Sequence, residues 1–160
     1  MINTDQDRFL SHFVLFRLAD SGYGIPVEAV ERVALMVEVS PLPSAPEVLL
    51  GVIDYQGRAL PALDLRVRLG LPRRTPDLSS RLMVVNTPQR TVALAVDEIV
   101  GLREVTAGSM LDPSLIDPAL RQVAGVVTLD DGLVIIQEIE ALLSADEEQE
   151  VREALKEGSL

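Results

Sequence analysis

Gly51-Val52-Ile53-Asp54-Tyr55-Gln56-Gly57-Arg58-Ala59-Leu60-Pro61-Ala62-Leu63-Asp64-Leu65-Arg66-Val67-Arg68-Leu69-Gly70 is the stretch around which the chain is organised. Two short apolar runs, Val52-Ile53 and Ala59-Leu60 through Leu63, flank Gln56-Gly57. A run, a tight turn and a second run predict a β-hairpin. Asp64 stands where the second run stops, and Leu65, Val67 and Leu69 follow before Gly70 and Pro72. An Asp in that place accepts hydrogen bonds from the free backbone N–H groups of a helical turn, and the Gly with the Pro beyond it ends that turn. The predicted unit is a hairpin, a cap, one helical turn and a stop.

The unit recurs. Gly125-Val126-Val127-Thr128-Leu129 leads through Asp130-Asp131-Gly132 into Leu133-Val134-Ile135-Ile136 and on to Glu138-Ile139-Glu140-Ala141-Leu142-Leu143. A second pair of segments also matches: Phe13 to Val33 resembles Arg81 to Leu102, each a strand, a polar turn, a strand and a Val-rich continuation. The order is the same in both halves, which predicts an internal duplication of two β-rich subdomains, about 13–75 and 81–140, interleaved in one domain of 9–145. Pro72 to Ser80, polar and carrying Arg73-Arg74, is the boundary between them. Residues 146–160 are expected to form an acidic C-terminal helix or tail.

With 160 residues, 48% of them hydrophobic but only 3% aromatic, the core must be built from Val, Leu, Ile and Ala, of which the β-branched members favour strands. No cysteine is present, so disulfides, thiolate metal sites and Cys nucleophiles are excluded. His12 is the single histidine, too little for a Ser/His triad or a multi-His metal site. The net charge of −11 argues against nucleic acid, whose binders displace counterions with clustered Lys and Arg. Asp5 and Asp7 stand where a secretory signal would carry basic residues, and no apolar run reaches the ~18 residues of a membrane span. The expectation is a soluble, cytoplasmic protein without membrane insertion.

Phe13 to Ala19 is apolar on both parities, as in a strand covered on both faces. Asp20-Ser21-Gly22 turns it, and Pro26 ends the returning strand. Val33 to Val39 is the next expected strand, followed by an extended loop, Pro41-Leu42-Pro43-Ser44-Ala45-Pro46, whose prolines exclude a helix. Asp112-Pro113 and Asp117-Pro118 bracket a loop with a short helix around Leu115-Ile116. A last helix is expected to start near Ile139 and to run on through Glu147 to Lys156 as a surface helix or frayed tail, with Val151 and Leu155 on one stripe.

Carboxylates are the only plentiful catalytic material, and Asp54, Asp64, Asp97, Asp130 and Asp131 lie near turns or strand ends. Such groups serve acid/base hydrolysis or hold a hard metal. They equally serve as caps, turn residues and strand-end charges. Phosphate loops, nucleophile elbows and His-Glu-x-x-His patterns are missing. The pattern reads as a binding module with no catalytic residue, no cofactor and no metal. Val27, Val30 and Val100 are placed near the meeting of the halves, where aliphatic side chains either seal the interface or line a cleft for an amphipathic helix.

The residues resemble the chemotaxis coupling proteins (CheW) and the related domains of chemotaxis histidine kinases. The resemblance is carried by Phe13-Val14-Leu15-Phe16-Arg17-Leu18, Tyr23-Gly24-Ile25-Pro26-Val27, the Pro41 to Pro46 loop, Gly51-Val52-Ile53, Gly57 to Leu65, Val96-Asp97 and Gly125-Val126. It implies an all-β fold with short helices: two pseudo-symmetric five-stranded SH3-like β-barrels and a C-terminal helix. It implies a scaffold without enzyme activity that links the cytoplasmic tip of a methyl-accepting chemoreceptor to the regulatory domain of a histidine autokinase, and recruitment to membrane receptor arrays. The implied kinase-binding residues are Arg32, Val33, Pro43, Gly51 and Gly57. Those implied for the receptor are Val27, Val30, Gln56, Arg58 and Val100. Two positions depart from the family pattern. Gln56 replaces an Arg at the hairpin turn, and Arg32 falls where the family has Glu, with Glu31 beside it. An Arg fork contributes charge-assisted hydrogen bonds, and a reversed charge both excludes one partner and selects another. The alternatives are an adaptor that binds the kinase regulatory domain without receptor coupling, and a carboxylate-dependent hydrolase or metal-binding barrel.

Overall fold

The central hairpin folds as its residues dictate. In the structure, a computed structural model that describes residues 10–113, 123–130 and 132–157, β4 (Leu49–Tyr55) and β5 (Arg58–Leu63) pair antiparallel across Gln56 and Gly57. Both turn residues have positive φ, 51° and 83°, the geometry that matches the right-handed twist of the flanking strands. The Asp54 carboxylate caps the turn by accepting from the Gly57 N–H at 2.9 Å. Asp64 accepts from the Arg66 N–H at 3.0 Å and so starts α1 (Leu65–Leu69), which Gly70 closes in the left-handed conformation.

Around this unit the described residues form ten strands in two five-stranded sheets. The first sheet has the order β8-β1-β2-β10-β9, built from β1 (Leu10–Leu18), β2 (Ser21–Pro26), β8 (Glu98–Thr106), β9 (Val123–Leu129) and β10 (Gly132–Gln137). The second has the order β3-β6-β7-β5-β4, with β3 (Val30–Leu35), β6 (Arg81–Asn86) and β7 (Thr91–Val96) beside the central hairpin. Each sheet takes a hairpin from one half of the chain and three strands from the other. Neither 13–75 nor 81–140 forms a sheet by itself. In both sheets the one parallel pairing joins the two halves, β10 to β2 and β5 to β7.

The duplication reaches single residues. Glu31 in β3 and Val100 in β8 are each the extra residue of a bulge opposite the sheet's leading strand. Leu50 in β4 and Ala124 in β9 are extra in the same way, each just before a glycine. Beyond β3, Ser40 bridges to Val52, and beyond β8, Leu111 bridges to Val126. Among the described residues these isolated bridges are all that joins the two edges of each sheet, so the sheets curl like five-stranded barrels without a continuous closing ladder.

Val, Leu, Ile and Ala fill three clusters. One lies within the second sheet around Ile53, Leu60, Leu82 and Val84, and one within the first around Phe13, Leu15, Val127 and Ile136. The central one takes side chains from both sheets, among them Phe16, Ile25, Leu63, Leu65, Val85 and Leu94. Phe16 and Tyr23, opposite one another in register, stack there with ring centroids 5.9 Å apart. Each buried aliphatic side chain contributes roughly 1.5–3 kcal/mol, so a core almost without aromatics is adequate when it is shared by two sheets.

Two expectations are corrected. The strand expected at Val33 to Val39 lies earlier, at Val30–Leu35, because its partner β6 begins at Arg81 opposite Leu35 and offers no further backbone to pair with. The last helix does not start at Ile139: a 3-10 turn, Ile139–Ala141, comes first, and α2 runs over Ala145–Glu157. Ser144 separates the two by capping α2 reciprocally, its hydroxyl accepting from the Glu147 N–H and its own N–H donating to the Glu147 carboxylate. Nor is α2 a frayed tail, since Val151 is fully buried and Ala154 is 2% exposed in the central cluster. The loop helix expected around Leu115-Ile116 lies outside the described residues.

Candidate functional site

Beyond β3 the chain keeps its aliphatic character but loses its cover. Ala34 and Met36 point into the second sheet's core, whereas Val33, Leu35 and Val37, on the opposite parity, are exposed, Leu35 to 69%. Leu78 in the Pro72–Ser80 connection is 91% exposed. Between these segments lies a groove of about 590 Å³, its floor and walls made by Met36, Val37, Val39, Leu50, Pro76 and Leu78. Aliphatic side chains held this far out of the core are the usual mark of a surface that another molecule covers.

Of the residues expected to meet a kinase, Arg32 and Val33 are exposed on β3, Pro43 is exposed in the following loop, and Gly57 is exposed at the tip of the β4–β5 hairpin. Gly51 is buried. A Cβ there would sit 2.3 Å from the Ser40 carbonyl oxygen, so its bare backbone is what lets the Ser40–Val52 bridge form. All of these residues belong to the second sheet and its loops.

The residues expected to meet a receptor separate into three places. Val27 and Val30, in and after a 3-10 turn (Val27–Ala29), pack against the central cluster. Val100, the bulge residue of β8, packs instead into the first sheet's own core, and Ile99 is the residue that joins Val27 and Val30 on the central cluster. Gln56 and Arg58 lie at the hairpin turn of the second sheet, where Arg58 donates to the Glu31 carboxylate at 2.7 Å. The bulge that gives Glu31 its place thus brings it to Arg58.

Three of the carboxylates near turns and strand ends, Asp54, Asp64 and Asp97, accept hydrogen bonds within the fold. Asp97 accepts from the Ala19 N–H at 2.8 Å and from the buried guanidinium of Arg66 at 2.6 Å, with Arg74 3.7 Å away. Arg66 also donates to the Pro72 carbonyl, so one charged knot ties β1, α1, β7 and the connecting segment together. Asp54 and Asp64 are caps, and Asp130 is exposed in a turn whose other Asp, Asp131, lies outside the described residues. Among the described residues no three His, Asp or Glu converge as a metal site. His12 faces Glu104 across β1 and β8 at 3.2 Å.

Sequence reasoning did not single out Leu35 and Val37 within the edge running from Val33 to Pro43, nor Leu78, and it passed over Asp97 as a junction. The first had a visible signal: Val33 to Val37 is apolar at every position, whereas a strand covered on one face needs only alternate apolar residues. The second had none, because the partners of Asp97 are distant in sequence.

A family model described as the CheW-like domain matches residues 12–147. The chain belongs to the CheW-like domain family. Relatives include the probable chemotaxis protein CheW of Rhizobium etli, 28% identical over 138 residues that make up 85% of this chain and 89% of that one. Protein FrzA of Myxococcus xanthus is 32% identical over 123 residues, 76% of this chain and 77% of that one. The crystal structure of the scaffolding protein TtCheW from Thermoanaerobacter tengcongensis superimposes with a TM-score of 0.77 at 26% identity, covering 87% of this chain and 96% of that one. The CheW-like match ends inside α2, so its last turns lie beyond the shared span. No helix among the described residues is long and apolar enough to cross a membrane.

Proposed function

We propose that this chain is a noncatalytic coupling scaffold, joining the cytoplasmic tip of a methyl-accepting chemoreceptor to the regulatory domain of a histidine autokinase. The observation that carries this reading is the uncovered aliphatic groove beside β3. A kinase regulatory domain of related fold would cover Val33, Leu35, Val37 and Leu78, with Arg32, Pro43 and the Gly57 turn as its polar and loop rim. Gly51 would act from beneath by keeping the Ser40 segment close to β4. Affinity would come from apolar burial at ~25 cal/mol per Å², less the entropy of association, and the rim would set specificity. The receptor's helical tip would lie along Val27 and Val30, with Gln56 and the Arg58–Glu31 pair as outlying polar contacts, and Val100 would act through the bulge that turns Ile99 inward.

Calorimetric titration against the kinase regulatory domain and, separately, against a receptor-tip fragment tests this. Leu35→Asp is expected to weaken kinase binding by roughly ten-fold or more while leaving the receptor fragment's affinity unchanged. Val30→Asp is expected to do the reverse. Kinase binding without any receptor binding would leave an adaptor only, and silence of the wild type toward both partners would sink the scaffold reading.

A further inference from the structure

β3 ends the second sheet. β6 pairs with one side of it, and among the described residues no strand pairs with the other. The free edge has two stops. Glu31, the bulge residue, is drawn to Arg58, and Ser40 is bridged to Val52. Between them Arg32-Val33-Ala34-Leu35-Met36-Val37-Glu38 runs on without a turn or bend, and Leu35 is its midpoint. The segment reads alike from both ends. Arg32 and Glu38, at its limits, carry opposite charges, are both exposed, and have no ion-pair partner among the described residues. By contrast Arg58, Arg66, Arg68 and Arg90 each hold a carboxylate of the fold. One residue inside the charges stand the exposed Val33 and Val37, and between these two stands Leu35.

We propose that this edge pairs with the same edge of a second copy of the chain, two β3 segments running antiparallel about Leu35. Residues directly opposite in an antiparallel pair point to the same side of the sheet, with Cα atoms about 4.5–5.5 Å apart. Centred on Leu35, the pairing sets Arg32 of each copy against Glu38 of the other, Val33 against Val37, and Leu35 against its own counterpart. A slip of one residue would put the exposed row of one strand on the same side as the inward row of the other. A slip of two would part the charges. The twofold contact closes on itself, so it stops at a dimer and does not grow into a fibre. An interface of one strand pair belongs to the small, transient class, with a Kd on the order of 100 µM. Resting on the reading of this edge as the kinase-facing surface, the dimer hides Val33, Leu35 and Val37 and must part before a kinase regulatory domain binds.

Sedimentation of the full chain alone is the first test. Wild type is expected to pass from monomer toward dimer between about 10 µM and about 1 mM. Arg32→Glu and Glu38→Arg each place like charges opposite one another at both ends of the pair, and each should weaken the dimer roughly ten-fold. The chain carrying both substitutions should regain it. Because the chain has no cysteine, single cysteines report the register. Leu35→Cys is expected to give a disulfide-linked dimer under mild oxidation, since opposite residues of an antiparallel pair meet the Cα separation that a disulfide needs. Val33→Cys, offset from its counterpart by roughly 13 Å along the strands, should stay uncross-linked. A wild type still monomeric at about 1 mM overturns the proposal. So does a dimer that Arg32→Glu leaves intact, one that the double exchange does not restore, or cross-linking at Val33→Cys in preference to Leu35→Cys. The kinase regulatory domain is then titrated into the Leu35→Cys chain, reduced and oxidised. Binding at least roughly ten-fold weaker to the oxidised dimer supports a shared edge, and equal binding to both forms refutes it. A regulatory domain that binds neither form nor wild type defeats the kinase reading, while the dimer stands on sedimentation and cross-linking.

Discussion

Asp97 and Gly51 show how much single residues carry. The buried Arg66 has two acceptors, Asp97 and the Pro72 carbonyl, and Asp97→Ala leaves its charge with only the weaker one. Because the Asp97 side chain is 21% exposed and water can enter, the expected loss is discounted to about 2–3 kcal/mol rather than that of a fully buried pair. Asp54→Ala, at an exposed turn, should cost much less, and urea denaturation of both variants measures the difference. A hydrolase would instead lose an activity with both residues together. Gly51→Ala places a methyl group 2.3 Å from the Ser40 carbonyl at φ +154°, and a loss of about 2–3 kcal/mol is expected from the strain and the broken bridge. A folded Gly51→Ala chain that keeps its wild-type denaturation midpoint would show that the Ser40 segment moves freely. Asp64 and Gly57 were readable as a cap and a turn because their partners are neighbours in sequence. The roles of Asp97 and Gly51 depend on Arg66, Ala19 and Ser40, which no local pattern links to them.

Among the elements, α2 is the one whose sequence misleads. Its acidic composition reads as a solvated tail, but Glu147 and Glu148 are spent on Arg68 and Arg90, which frees the Val151 face to enter the core. Burial alone would raise the Glu147 carboxyl, but the Ser144 backbone N–H and the Arg68 guanidinium outweigh it and hold the group below its ordinary 4.5. A depressed carboxylate stabilises the fold above its unfolded value and loses that contribution as pH falls through the folded value. The hold on α2 is therefore expected to be complete above pH 4.5 and to loosen in more acidic solution, before the strands are affected. Hydrogen exchange of α2 against pH checks this, and Glu147→Gln should remove that pH dependence and loosen the helix at neutral pH as well. Equal protection of α2 at neutral and acidic pH would mean that the clasp contributes nothing.

At the scale of the whole molecule, the interleaving of strands makes a prediction that the duplication by itself does not. Each sheet needs strands from both halves, so 1–75 and 81–160, produced separately, are each expected to stay unfolded by circular dichroism and to regain sheet signal only when mixed. Independent folding of either fragment would contradict the shared sheets. The sequence by itself determined the hairpin unit, its cap, the β-rich character, the repetition and the poverty of catalytic groups, because each rests on local spacing or on composition. Tertiary structure decided the exchange of strands between halves, the inward turn of Val100, the uncovering of Val33, Leu35 and Val37, and the seating of α2. Those depend on which distant strand offers backbone to pair with and which distant arginine meets a carboxylate, and neither leaves a periodic trace in the chain.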